Sequence, residues 1–475
     1  MNIKNYLFKF IAPIFLFLLF IIVYSYYLPK IPIRFWDENA WIGRSYFFDL
    51  FVRRDFSNPL WQSYYSYDQP KLAEYLYGLA LYPSYIKEKT KHKNYDFIEF
   101  LIDNNFYQVQ SKFYENYKDS KKNFVVWGRR PFEDFDVNSE YLINKYGSNF
   151  QNTVNLIFQA RKINILFLAT TVILIYFISL LSSNPFIAFF TSIIYGFSNL
   201  IVAFGLRAQS DGIFVFFYSL ALLLLVLINK KKKFRLRLLL ITLFAVTTAL
   251  LSQTKLNGVL LLILFDLIFV IRTIIYFCKN KTEGIKKNLL ILFLSNFIFI
   301  ITFISIHPFL YDNPIKKIFI LFQWRNTVAL SQIKQFPNDY LSSYIDRVKQ
   351  IFINFLYTKD PQIYNSILLP NGIFIFKNQV LIFINNILFI FGLLFLLYSL
   401  FKKRYSSSNI VLITFLFSIF AMSFFLYLNW ERYLIQFVFF FIFIKIFAVG
   451  QLLILIEKYL SYYFNYIYRK KKLKI

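Results

Sequence analysis

Long apolar runs set the terms on which this chain can fold. Stretches such as FLFLLFIIVYSYYL (15–28), LFLATTVILIYFISLL (166–181) and LLLILFDLIFVIRTIIYF (260–277) carry almost no charge. A helix needs roughly 20 such residues to cross a hydrocarbon core about 30 Å thick. In lipid, every backbone N–H and C=O has to be satisfied within the protein, so runs of this length are spanning helices. They fall at about 8–28, 163–181, 186–204, 212–229, 238–254, 257–277, 288–306, 379–400, 409–428 and 433–456. The expected fold class is an all-α polytopic membrane protein with about ten transmembrane helices. The first run is longer than the apolar core of a signal peptide and has no small-residue cleavage site before Pro29, so it is expected to be retained as a span.

Charge supports a membrane setting. The formal net charge of +28 would suggest nucleic acid in a soluble protein. Here the cations sit largely in short loops, KKKKFRLR (230–237), CKNKTEGIKKN (278–288) and FKKRY (401–405), and in the tail YRKKKLKI. Such loops set orientation and meet anionic headgroups, so nucleic acid is not an expected partner, whereas membrane lipids are. With an even number of spans and both termini cytoplasmic, all four basic segments fall on the cytoplasmic side. The chain then divides into the first helix (1–28), a long external loop (29–162), a bundle (163–306), a second external loop (307–378) and C-terminal helices with a basic cytoplasmic tail (379–475). The first loop holds 16 of the 25 acidic residues. Within it, WIGRSYFFDLF and KLAEYLYGLALYPSYI are amphipathic and too short or too polar to span, and are expected to lie in the interface. The polar stretch 91–123 is expected to form a helical surface insertion. Cys278 is the single cysteine, so no intrachain disulfide forms, and His92 and His307 alone make no histidine-rich metal site.

Ionisable residues beside hydrocarbon are costly unless they are paired, solvated or used. Asp37 and Glu38 directly follow the first span. Under the topology above, Asp68 and Lys71 (YDQPKL), Arg207 and Asp211 (LRAQSDG), Lys255 (SQTKLNG), and Glu431 and Arg432 (WERYL) stand at the same external boundary. One lysine or arginine at a helix end ordinarily snorkels to headgroups, and one aspartate opening a helix ordinarily caps it. So many at one face, from segments far apart, suit an anionic headgroup with a carboxylate left over for proton transfer. His307, beside a proline, reads first as a loop residue and second as a substrate contact. Trp324 and Arg325 are candidate lining for an acceptor surface. Asp266 and Lys445 lie mid-helix, and a structural ion pair between them is expected.

The motifs WDEN (36–39), YDQPKL (67–72), LRAQSDG (206–212), SQTKLNG (252–258), HPFLYDNP (307–314) and WERYL (430–434), in that order, resemble the GT-C superfamily of membrane glycosyltransferases. The branch resembled contains the protein O-mannosyltransferases and the aminoarabinose transferase of lipid A. The resemblance implies a GT-C-type bundle with interfacial helices in the first external loop. It also implies transfer of one sugar from a polyprenyl-phosphate carrier to a hydroxyl or amine outside the cytoplasmic membrane, with inversion. Asp37 takes the role of general base, Glu38 that of an orienting acid, and Asp211 that of a further catalytic carboxylate. Lys71, Arg207, Lys255 and Arg432 match positions expected to hold the carrier phosphate. Asp68, His307, Trp324 and Glu431 are the remaining substrate or acceptor contacts. YDQPKL departs from the histidine-proline-proline and glutamate-lysine-proline forms of relatives, which leaves the partner of Lys71 open. No motif requires a cofactor or a metal, and divalent-metal dependence is left open. The rival readings are a polyprenyl-linked oligosaccharide polymerase or ligase, a secondary transporter, and a non-enzymatic assembly protein. Transporters place their ionisable residues near the midplane on repeat-related broken helices, a pattern this chain does not show.

Overall fold

A computed structural model describes residues 10–92, 94–106, 138–148, 150–230, 233–356, 379–402 and 407–472. Among them there are helices and no strands, and Tyr340 and Leu428 form an isolated antiparallel bridge. The chain opens with α1 (Ala12–Tyr27), followed by the helices of the first loop: α2 (Phe35–Gly43), α3 (Tyr46–Val52), α4 (Tyr64–Asp68), α5 (Leu72–Lys89), α6 (Phe97–Asp103) and α7 (Ser139–Tyr146). The central bundle follows as α8 (Phe150–Ser182), α9 (Pro185–Gly196), α10 (Asn199–Gly205), α11 (Ser210–Lys230), α12 (Phe234–Ser252), α13 (Val259–Cys278) and α14 (Thr282–Ser305). After it come α15 (Pro314–Gln335), α16 (Tyr344–Leu356), α17 (Gln379–Lys402), α18 (Ser407–Phe425) and α19 (Val438–Lys472).

Nine helices among the described residues are long and apolar enough to cross a membrane, and the bent pair α9–α10 makes a tenth span if counted as one. The protein is therefore a multi-pass, all-α membrane protein, as the apolar runs require. Two of the expected spans look different in detail. The run at 186–204 is broken by a 50° bend between α9 and α10. The Tyr24 hydroxyl donates to the Gly196 carbonyl at that break, at 3.0 Å, satisfying a group the bend exposes. The run at 163–181 belongs to the 33-residue α8, which begins more than a turn before the hydrophobic stretch. At 1.5 Å per residue such a helix is about 50 Å long, well beyond one bilayer core.

α8 is the central post of the bundle, packing against α1, α9 and α11, while α19 packs against α9 and α17. The first-loop helices build a second core over one end of it. Trp41, Ile42, Tyr46, Phe47, Trp61, Tyr77 and Tyr85 are buried there against Leu156, Ile157 and Ala160 of α8. WIGRSYFFDLF is thus split between α2 and α3, and both pack as part of a small aromatic-rich subdomain. Of the polar stretch 91–123, α6 is described, opened by an Asp96–Glu99 capping box; residues 107–123 lie outside the described residues.

The expected pair between Asp266 and Lys445 does not form. Asp266 accepts two bonds of 3.1 Å from the Asn296 amide on α14, and Lys445 donates to the Phe355 carbonyl at 3.2 Å. Each charge finds a neutral polar partner on the helix packed beside it, which a reading of depth along the helices could not resolve.

Candidate active site

At the end of the bundle where the first loop packs, a cavity of about 1170 Å³ opens between α2, the starts of α11 and α13, α15, the end of α18 and the turn before α19. Among the described residues five cations line it, Arg34, Arg44, Lys255, Arg325 and Arg432, with two carboxylates, Asp37 and Asp68. The remaining wall is mixed. Leu256, Val259, Leu260, Phe322, Met422 and Phe425 are apolar, and Asn257, Asn326, Gln332 and Gln335 offer amides.

Asp37 and Glu38 stand side by side on α2 and are used differently. A helix turns successive side chains about 100° apart, so one points to the cavity and the other into the bundle. The Asp37 side chain is 23% exposed on the cavity wall, where Arg432 Nη1 lies 3.1 Å from Oδ2. The Glu38 side chain is fully buried. Arg161 on α8 donates to both its oxygens at 2.7 Å, and the Ala208 and Arg34 backbone N–H groups donate at 2.7 and 3.0 Å. Arg161 also donates to the carbonyls of Ile31 at 2.9 Å and Pro32 at 2.9 Å. Glu38 therefore does not reach the cavity. It ties α2, the end of α1, α8 and the 206–209 turn together, and so fixes where Asp37 stands.

Asp211 and its partners complete the centre. Gly212 lets the start of α11 approach the end of α10, since a methyl group there would collide with the Gly205 carbonyl oxygen. That turn brings Asp211 under the cavity, where Lys255 donates to Oδ1 and Arg432 Nη2 stands 3.7 Å from Oδ2. Arg432 is thus shared by Asp37 and Asp211. Asp37, Asp211, Lys255 and Arg432, drawn from four distant segments, meet in one network at the cavity wall.

The other expected site residues lie elsewhere. Lys71 is fully buried beneath the cavity, not on it. It donates to Glu74 Oε2 and the Tyr65 carbonyl, both at 2.6 Å, and sits 4.3 Å from the centre of the Phe47 ring. Burial pushes its ammonium down to about 8 against the pull of Glu74, and pushes Glu74 up to about 7 against the pull of Lys71. Lys71 therefore stands with Glu74 in the packed layer and not on the cavity wall. Arg207 is fully buried beside the Phe204 ring and does not line the cavity. His307 is buried against the Ser66 carbonyl, its Nε2 2.8 Å away; burial and then Lys71 push the imidazole down to about 3, so it is neutral. It makes no contact with the cavity.

Asp68 does line the cavity, but its carboxylate is engaged by Arg44 at 2.7 Å and by Trp324 Nε1 at 3.2 Å. Burial alone would push this carboxyl up; Arg44 and Arg325 beside it hold it down to about 2. Arg325 donates to the Asp68 backbone carbonyl, and its side chain faces the cavity. Trp324 is consequently a strut between α15 and α4. The Glu431 side chain lies outside the described residues. Three arginines mattered more than their sequence context suggested. Arg161 sits inside a long apolar helix, a position that calls for a buried partner. Arg34 and Arg44 flank α2 and carry no comparable signal. Among the described residues no group of three or more His, Cys, Asp or Glu side chains stands close enough to hold a metal ion.

A carboxylate thus stands exposed on a cation-rich cavity at one end of a multi-pass helical bundle. Residues 104–315 match the family described as dolichyl-phosphate-mannose-protein mannosyltransferase, a GT-C family. That family indicates a glycosyltransferase, in general terms a mannosyltransferase working from a polyprenyl-phosphate sugar. The matched segment contains Arg161, Asp211, Lys255 and His307, and begins after Asp37 and Glu38. No curated protein matches the chain.

Proposed function

We propose that the protein transfers one sugar from a polyprenyl-phosphate carrier to an acceptor hydroxyl or amine at the external face of the cytoplasmic membrane. Asp37 acts as the base of a single inverting displacement. The observation that carries this reading is that Asp37 is the accessible half of the acidic pair, and that it shares Arg432 with Asp211 at a cavity with excess positive charge. A carboxylate within reach of the acceptor takes its proton as the acceptor attacks the anomeric carbon. The bond from that carbon to the phosphate oxygen breaks, and the phosphate leaves with the electron pair. Lys255, Arg325 and Arg432 are placed to stabilise the leaving charge, a role that preorganised cations perform at no reorganisation cost. Asp211 holds Lys255 and Arg432 in position from behind. The volume exceeds what one sugar phosphate needs, and the apolar wall from α13, α15 and α18 suits the first isoprenoid units of the carrier.

Purified protein incubated with a polyprenyl-monophosphate mannose and an acceptor panel is expected to release polyprenyl phosphate. Folded protein that releases none across several sugars and acceptors would overturn the reading. Two lysines separate site from scaffold. Lys255→Ala is expected to cut turnover per folded molecule by about 10²-fold, on the scale of removing one preorganised donor. Lys71→Ala is expected to lower the yield and thermal stability of the protein instead, because it strands Glu74 in a buried site. Lys402→Ala, at the far end of α17, is expected to do neither. Equal turnover losses at Lys255 and Lys402 would remove the argument from position.

A further inference from the structure

Arg432 joins Asp37 to Asp211, and the stretch that leads into it, residues 426–430, belongs to no helix. Backbone groups in such a stretch, and the last carbonyls of the helix before it, need partners from elsewhere. The segment between α15 and α16 supplies them. The Leu341 N–H donates to the Tyr427 carbonyl and the Asn429 N–H to the Asp339 carbonyl, both at 2.9 Å, on either side of the Tyr340–Leu428 bridge. Arg347 on α16 donates to the Ser423 and Phe424 carbonyls at 3.0 and 3.2 Å and so closes the end of α18. One more bond is made between side chains. Trp430 Nε1 donates to Asp339 Oδ2 at 3.2 Å.

That bond lies one step from the charge network. The Trp430 ring stacks at 18° on the Tyr433 ring, 5.7 Å away, and the Tyr433 N–H donates to the Trp430 carbonyl at 3.0 Å. The Arg432 guanidinium lies 5.9 Å from the centre of the same Tyr433 ring. Trp430, Arg432 and Tyr433 all line the cavity, and Asp339 does not. Arg432 therefore projects from a backbone whose two flanking rings are locked together and anchored from outside the cavity. A long flexible side chain reaches two carboxylates at once only if its backbone is held, because each freed torsion costs order. We propose that Asp339, acting through Trp430, is a positioning residue for Arg432, a role that rests on Arg432 serving the transfer described above.

The test reads Arg432 first and the reaction second. Phenylglyoxal modifies accessible guanidinium groups, and peptide mapping by mass spectrometry gives its rate at Arg432 in the purified full chain. Asp339→Ala is expected to raise that rate about fivefold, on the scale of one lost hydrogen bond. Asp339→Asn keeps an oxygen acceptor and is expected to match the wild type, which separates the bond from the charge. Asp346→Ala removes an exposed carboxylate that bonds to Ser342 and Ser343, and is expected to match the wild type too. An unchanged rate in Asp339→Ala overturns the proposal, as does an equal rise in Asp339→Asn or Asp346→Ala. This labelling needs no turnover, so its failure is distinct from failure of the transfer reading. In the transfer assay, Asp339→Ala is expected to lose about tenfold in kcat, the cost of a misplaced group, and Asp339→Asn to recover it. With Arg432→Gln already present, Asp339→Ala is expected to cost nothing further, since no guanidinium remains to be aimed. Losses that multiply in the double variant overturn the positioning role and make Asp339 a brace for the segment alone. Should Asp339→Ala not fold, Trp430→Phe removes the donor of the same bond and is read by the same labelling.

Discussion

Asp37→Asn is expected to lower sugar transfer by about 10²- to 10⁴-fold, the contribution of a positioned general base, while the protein folds and unfolds as the wild type does. The substitution keeps the size of the side chain and one oxygen that accepts from Arg432, so the 3.1 Å contact has a replacement acceptor. What is lost is the negative charge and the capacity to take a proton from the acceptor. The measurement is single-turnover release of polyprenyl phosphate, normalised to monodisperse protein. Carrier affinity is expected to change much less than the rate, because Lys255 and Arg325 remain. Unchanged turnover would take the base away from Asp37. A loss of carrier binding as large as the loss in rate would make it a binding residue instead.

Glu38→Gln is expected to have the opposite profile. The Glu38 carboxylate takes four hydrogen bonds at 3.0 Å or less, two of them from Arg161, with both side chains fully buried. Removing one member of a buried pair leaves the other charge uncompensated and costs about 3–5 kcal/mol. The readout is thermal unfolding in detergent together with the yield of monodisperse protein. Arg161→Gln alone is expected to be as damaging. The double variant is expected to lose less than the two single losses added, since neither charge is then stranded. In whatever fraction of Glu38→Gln folds, turnover is expected to fall far less than in Asp37→Asn. A Glu38→Gln protein of normal stability that fails to turn over would reverse the two roles and place Glu38 in the chemistry.

The contrast between these neighbours shows how far the site could be read in advance. That Asp37, Asp211, Lys255 and Arg432 stand at one boundary follows from where the apolar runs end. Each sits within a few residues of a span, and the alternation of spans puts those ends on one face. His307 satisfies the same criterion and turns inward, and Lys71, within the first loop, turns inward as well. Glu74 stands three residues after Lys71 in KLAE, the spacing at which helix neighbours pair, so the local signal for a structural lysine was present. For His307 there was none, because its partner, the Ser66 carbonyl, is 241 residues away. The pairing of Asp266 with Asn296 and not Lys445 has the same origin. Depth along a helix can be counted from residues, whereas the facing partner depends on how helices rotate and neighbour one another.

The amino-acid sequence by itself determined that this is a polytopic helical membrane protein, which of its ends gathers the charged residues, and which spans carry them. Those conclusions follow from the length and polarity of local runs, because a bilayer penalises each uncovered polar group where it stands. Only the tertiary structure decided that Asp37 faces the cavity and Glu38 faces Arg161, that the third span is bent, and that Arg325 lines the cavity while Lys71 is buried beneath it. These outcomes rest on contacts between segments that are often more than a hundred residues apart. Their direction is set by packing, which no local pattern of residues specifies.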